Sequence, residues 1–140
     1  MINTSNGNIH IKGKKLVINS ELTKDRFVQS DLFVDVLKQD DYGYSRYYIK
    51  QQIICEQNFV ITMLFGPDDV LFMVTLGLVE DGLYPTWENW SEEDQLQKKI
   101  MHDEWLEKNL GSEPYKYSWG SISSIYDSRS ASSHITISYE

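Results

Sequence analysis

Two apolar runs, residues 59–65 and 70–79, are split by Gly66-Pro67-Asp68-Asp69. No other feature restricts the fold of this chain as much. Proline fixes its own φ, and an Asp side chain can bond the backbone two residues on, so the break reads as a turn. The flanking runs are rich in Val, Phe, Met, Leu and Ile, which suits strands. Phe59, Ile61, Met63 and Phe65 share one face of the first run, with Val60 and Leu64 opposite. In the second, Val70, Phe72, Val74, Leu76 and Leu78 alternate against Leu71, Met73 and Val79. Strands apolar on both sides are expected at the middle of a sheet, covered on both faces. A single membrane helix is excluded here. A span needs about 20 unbroken apolar residues, and Pro67-Asp68-Asp69 would sit at mid-bilayer.

The rest of the chain fits around that hairpin. Residues 9–11 and 15–18 flank Lys12-Gly13-Lys14 and predict a small hairpin. Thr23 is placed to cap a short helix from Lys24 to about Ser30. Residues 32–37 read as strand or extended chain, and residues 39–45 as a loop. Residues 46–55 alternate, with Tyr47, Ile49, Ile53 and Cys55 on one face. They complete a three-stranded antiparallel meander after a turn at Glu56-Gln57-Asn58. Ser91 followed by Glu92-Glu93-Asp94 starts a long helix that runs to about Asn109 and stops at Gly111. At helical spacing Leu96, Ile100, Leu106 and Leu110 form one apolar side, and Met101 and Trp105 a second. Trp105 is expected to meet Trp87 or Trp90. Residues 121–126 and 133–139 form a closing hairpin, with Ile135, Ile137 and Tyr139 opposite His134, Thr136 and Ser138. That alternation predicts a sheet with one exposed side. The expected fold is a single α+β domain over residues 1–140. Its antiparallel sheet, meander plus C-terminal hairpin, packs against one long helix and one short N-terminal helix.

Composition narrows the partners. A formal net charge of −8 argues against nucleic acid, whose binders carry a basic face. It is compatible with a basic protein partner, while solubility alone is the stronger reading of the charge. One cysteine, Cys55, excludes an internal disulfide framework and reads as a structural thiol. Residues 1–8 lack the charged start and apolar run of a signal peptide, so the cytoplasm is the expected location.

Catalytic constellations are thin. The three histidines, His10, His102 and His134, fall on separate elements with no metal-ligand spacing, so no metal or cofactor is expected. Serines crowd residues 118–138 around His134 and Asp127, but no Gly-x-Ser-x-Gly elbow occurs. Two surface patches remain as candidate partner-binding sites. One is Asp40, Asp41, Tyr42 and Tyr44, where acids suit a basic partner and tyrosines offer contact area at low entropic cost. The other is Glu80, Asp81, Trp87, Glu88 and Trp90. For either patch taken singly, a solvated loop whose aromatics fold back onto the core is the favoured reading.

A family resemblance adds to this reading. Its residues begin with Trp87-Glu88-Asn89-Trp90-Ser91-Glu92-Glu93, Lys99, His102, Trp105-Leu106 and Gly111. They continue with Tyr117-Ser118-Trp119-Gly120-Ser121-Ile122, Tyr126-Asp127, Arg129 and Ile135-Thr136-Ile137. Together with the strand-then-capped-helix opening over residues 16–25, this resembles the small bacterial immunity proteins encoded beside secreted polymorphic toxins. The resemblance implies a non-enzymatic protein that neutralises a cognate toxin by covering or distorting its active site. It carries no catalytic or contact residue over. Two other readings stand beside it. One is a small hydrolase using His134 or His102. The other is a self-associating domain, a monomer or weak homodimer, that pairs through residues 133–139 as a sheet edge.

Overall fold

The computed structural model describes residues 2–79, 91–129 and 132–139. Among them lie β1 (Ile9–His10), β2 (Val17–Ile18), α1 (Lys24–Val28), β3 (Leu37–Asp41), β4 (Tyr44–Ile54) and β5 (Gln57–Phe65). Then come β6 (Leu71–Leu78), α2 (Glu92–Leu110), β7 (Lys116–Tyr117), β8 (Gly120–Asp127) and β9 (Ser132–Tyr139). Strands β1 and β2 pair by themselves. The other seven form one antiparallel sheet in the order β3-β4-β5-β6-β9-β8-β7. The fold is therefore α+β, and the β5–β6 hairpin lies at the middle of the sheet, as its apolar runs predict.

Local signals act as expected at several points. Asp69 donates its N–H to the Gly66 carbonyl at 2.9 Å, and Asp68 Oδ1 accepts the Val70 N–H two residues on at 3.2 Å. Thr23 Oγ1 accepts the Arg26 N–H at the start of α1. Ser91 Oγ accepts the Asp94 N–H at the start of α2, and the chain leaves that helix through Gly111 at φ +86°. These caps satisfy N–H groups that a helix end would leave unpaired.

One face of the sheet carries the core. Phe59, Ile61, Met63 and Phe65 of β5 are buried there, with Val74, Leu76 and Leu78 of β6 and Ile135 and Ile137 of β9. Phe27 of α1 packs edge-on against Tyr47 at 5.0 Å and stacks on Phe65 at 5.9 Å. Ile9 and Ile18 of the small hairpin join this cluster, and the Lys12 N–H reaches the Ile53 carbonyl. Trp105 of α2 meets Phe59 at 4.9 Å, edge to face. Trp87 and Trp90, its expected neighbours, lie outside the described residues, as does the connector that holds them.

Several expectations are corrected. Residues 39–45 are a tight hairpin, with Asp41 and Tyr44 paired across Tyr42 (φ +48°) and Gly43 (φ +85°). Left-handed φ at both central residues is the two-residue turn that matches strand twist. Residues 32–36 form no strand, with a turn at Leu32 and a bend at Val34-Asp35, and only Leu37 is in a strand. A bulge in β4 between Ile49 and Gln52 shifts the phase, so Ile54 reaches the core while Ile53 is half-buried. Cys55 then falls in the turn with Glu56, at φ +48° and +66°. A second bulge opposite Leu64 and Phe65 turns Leu71 inward and Phe72 outward. On α2 the buried side is Gln95, His102, Trp105 and Leu106, while Leu96 and Ile100 are exposed. Finally, β9 sits between β6 and β8, so residues 133–139 are interior and the self-pairing edge expected there does not exist.

Candidate binding face

Among the described residues, the second face of the sheet is where the structure departs furthest from the expected cover. The described helices and the β1–β2 hairpin contribute their buried side chains to the opposite face. On this face Val60, Thr62, Leu64, Met73 and Thr75 are only half-buried at the sheet centre. Register aligns its side chains in rows. One row runs Tyr48, Thr62, Thr75, Thr136, Ser123, and the next Arg46, Leu64, Met73, Ser138, Ser121.

Two hollows share this face. A cavity of about 340 Å³ lies among Gln39, Asp41, Tyr42, Tyr44, Arg46, Leu64 and Phe72. A larger one of about 590 Å³ extends from Arg46 and Leu64 across Thr62 and Thr75 to Ser132 and His134. Arg46 and Leu64 line both, so the hollows adjoin as one groove. The Phe72 bulge builds one wall, with its ring edge-on to Tyr44 at 5.6 Å. Bulges commonly re-aim a side chain in this way. Tyr48 donates its hydroxyl proton to Gln39 Oε1 at 3.1 Å, which ties β3 to the groove rim.

Of the sequence candidates, Asp41, Tyr42 and Tyr44 come together at the groove mouth. Asp40 lies on the other face. It accepts a hydrogen bond from Ser45 Oγ at 3.0 Å, and Ser45 Oγ in turn accepts one from Lys24 Nζ. That hydroxyl and the nearby Lys38 ammonium hold the Asp40 carboxyl below its ordinary range. Lys24 also pairs with Asp69 at 3.0 Å, and this bond raises its pKa. Asp40 is thus a fastener of the β3–β4 hairpin. Glu80, Asp81, Trp87, Glu88 and Trp90 lie outside the described residues. Sequence reasoning missed Leu64, Phe72, Met73, Thr62 and Thr75 as site residues. Their signal was the second apolar face of the central strands, read as covered.

The histidines divide between the faces. His102 has no exposed surface, and its Nε2 accepts the Leu78 N–H at 3.1 Å. The neutral ring therefore carries its proton on Nδ1, facing Ser133 Oγ at 3.4 Å. Gln95 Oε1 accepts the Ser133 N–H, which completes a buried polar joint between α2, β6 and β9. Burial, aided by Lys98 and His134, pushes the His102 pKa down to about 4. His134 lines the larger hollow, and partial burial lowers its pKa despite the opposing pull of Asp127. Among the described residues, no group of three or more His, Cys, Asp or Glu side chains is arranged to hold a metal ion. None of the described helices is long and apolar enough to cross a membrane.

No family model, curated protein or solved structure matches the chain.

Proposed function

We propose that this chain is a binding protein, that its partner docks in the groove on the open sheet face, and that the partner is a basic bacterial toxin domain neutralised by contact in the cytoplasm. The observation that supports a binding role is the groove itself. It sets Leu64 and Met73 among Thr62 and Thr75, is lined by Tyr44, Tyr48 and Phe72, and has Arg46 where its two hollows meet. Aromatic and arginine side chains around a hollow are the usual anchors of protein interfaces. The immunity role rests on the resemblance of residues 87–137 and on the net charge of −8, which would steer a basic partner toward the chain.

The decisive experiment is co-expression with the product of the neighbouring upstream reading frame. A stoichiometric complex that rescues growth is the expected result. Within that complex, Phe72→Ala and Arg46→Ala should each weaken binding at least about tenfold while leaving the fold intact. Reversing Asp40 and Asp41 together should slow association and flatten its salt dependence. A harmless neighbour that does not co-purify overturns the immunity reading. Full-strength binding by both groove variants overturns the docking face.

A hydrolase remains the second reading, supported by His134 in the larger hollow beside Ser132 and within the field of Asp127. It predicts a substrate turned over by the wild type and lost in His134→Ala.

A further inference from the structure

Strand β3 is an edge of the large sheet. Its five residues, Leu37-Lys38-Gln39-Asp40-Asp41, are exposed along their whole length. Among the described residues, no strand pairs with its outer side. The two-residue turn at Tyr42-Gly43 makes Asp41–Tyr44, Gln39–Arg46 and Leu37–Tyr48 the hydrogen-bonded pairs of the ladder. The N–H and C=O groups of Lys38 and Asp40 therefore point outward.

We infer that β3 is a self-pairing edge, and that its occupant is the β3 of a second copy, antiparallel and centred on Gln39. In that register Lys38 of each chain lies opposite Asp40 of the other. The two residues with outward backbone groups are thus the two with complementary charges. A lysine on an edge strand ordinarily discourages pairing. Within one chain Lys38 Nζ already pairs with Asp40 Oδ2 at 3.3 Å; in this register each also faces its opposite charge on the other chain, so the four groups alternate in sign across the ladder, and opposite charges directly across a ladder attract. The same register sets Tyr42, which is 95 % exposed, opposite Val36 of the other chain. Leu37 and Val34, 69 % and 61 % exposed, flank the junction and gain cover from it. An isologous twofold of this kind joins the two sheets edge to edge. Gln39 and Asp41 line the smaller hollow, so the two grooves would meet across the junction. This inference does not depend on what docks in the groove.

Sedimentation equilibrium on the full chain tests it. The wild type should show a monomer–dimer equilibrium. Lys38→Glu and Asp40→Lys should each raise the dimer dissociation constant about tenfold or more, because two attractive pairs become repulsive. The double variant Lys38→Glu/Asp40→Lys should return to within about threefold of wild type, since its register is complementary again. Asp40 also accepts from Ser45, so a substitution there can loosen the hairpin. Lys38→Pro provides an independent loss, deleting an outward N–H without breaking a β3–β4 hydrogen bond. A wild type that stays monomeric up to about millimolar concentration overturns the inference; so does a dimer indifferent to both Lys38→Glu and Lys38→Pro.

Discussion

On one face of the seven-stranded sheet, Phe59, Ile61, Met63 and Phe65 of β5 are closed beneath two helices and a small hairpin. On the other face, Val60, Thr62 and Leu64 of the same strand are only half-buried. The closed face interlocks rings, as in Phe27 against Tyr47 and Phe65 and Trp105 against Phe59. The open face alternates Thr and Ser with a few apolar side chains and one guanidinium. Leu64 and Phe65 are chain neighbours that the pleat turns to opposite faces. Stability is expected to reside on the closed face and recognition on the open one.

Adjacent truncations test that division most severely. Phe65→Ala should cost about 3–5 kcal/mol in chemical denaturation, whereas Leu64→Ala should cost less than about 1 kcal/mol. Equal losses would mean the open face is as tightly packed as the closed one. The next largest effect is pH-dependent. The unfolded chain takes up a proton on His102 near pH 6.5, whereas the folded protein resists until about pH 4. The contribution of this group is therefore full above about pH 6.5 and falls by about 3 kcal/mol as pH drops to 4. His102→Gln, which can keep an acceptor for the Leu78 N–H, should flatten that part of the stability profile. His134→Gln on the open face should change it less.

A smaller effect is expected at the Cys55-Glu56 turn, where two ordinary residues hold left-handed φ values. Replacing the pair with Asn-Gly should stabilise the protein by about 1 kcal/mol, read as a higher melting temperature. The smallest belongs to the groove. Arg46→Ala should change stability by less than about 0.5 kcal/mol while weakening partner capture, and a large stability loss would make Arg46 structural.

Much of the framework was legible in the sequence because its causes are local. Ser91 and Gly111 bound α2 through hydrogen bonds and backbone freedom within one helical turn. Gly66-Pro67-Asp68-Asp69 closes its own turn, and β9 alternates because its two sides meet different surroundings. The candidate site was half legible. Asp41, Tyr42 and Tyr44 read in the sequence as candidate contact residues and do line the groove, whereas Leu64, Phe72 and Met73 read as core. Apolar side chains on a strand show that a face can be buried, without showing what will bury it.

The sequence by itself determined the elements whose hydrogen bonds close within a few residues: the caps, the tight turns and the alternation of the last strand. Tertiary structure alone decided the rest. Strand β3 carries no apolar pattern and forms because β4 offers it a row of backbone partners. The two bulges re-aim Ile54 and Phe72 through ladder register, which is set between strands. His102 became a buried neutral joint because α2 settled over Leu78 and Ser133, 24 and 31 residues away along the chain. Packing between distant segments assigns each face its neighbours, and no window of local sequence contains that information.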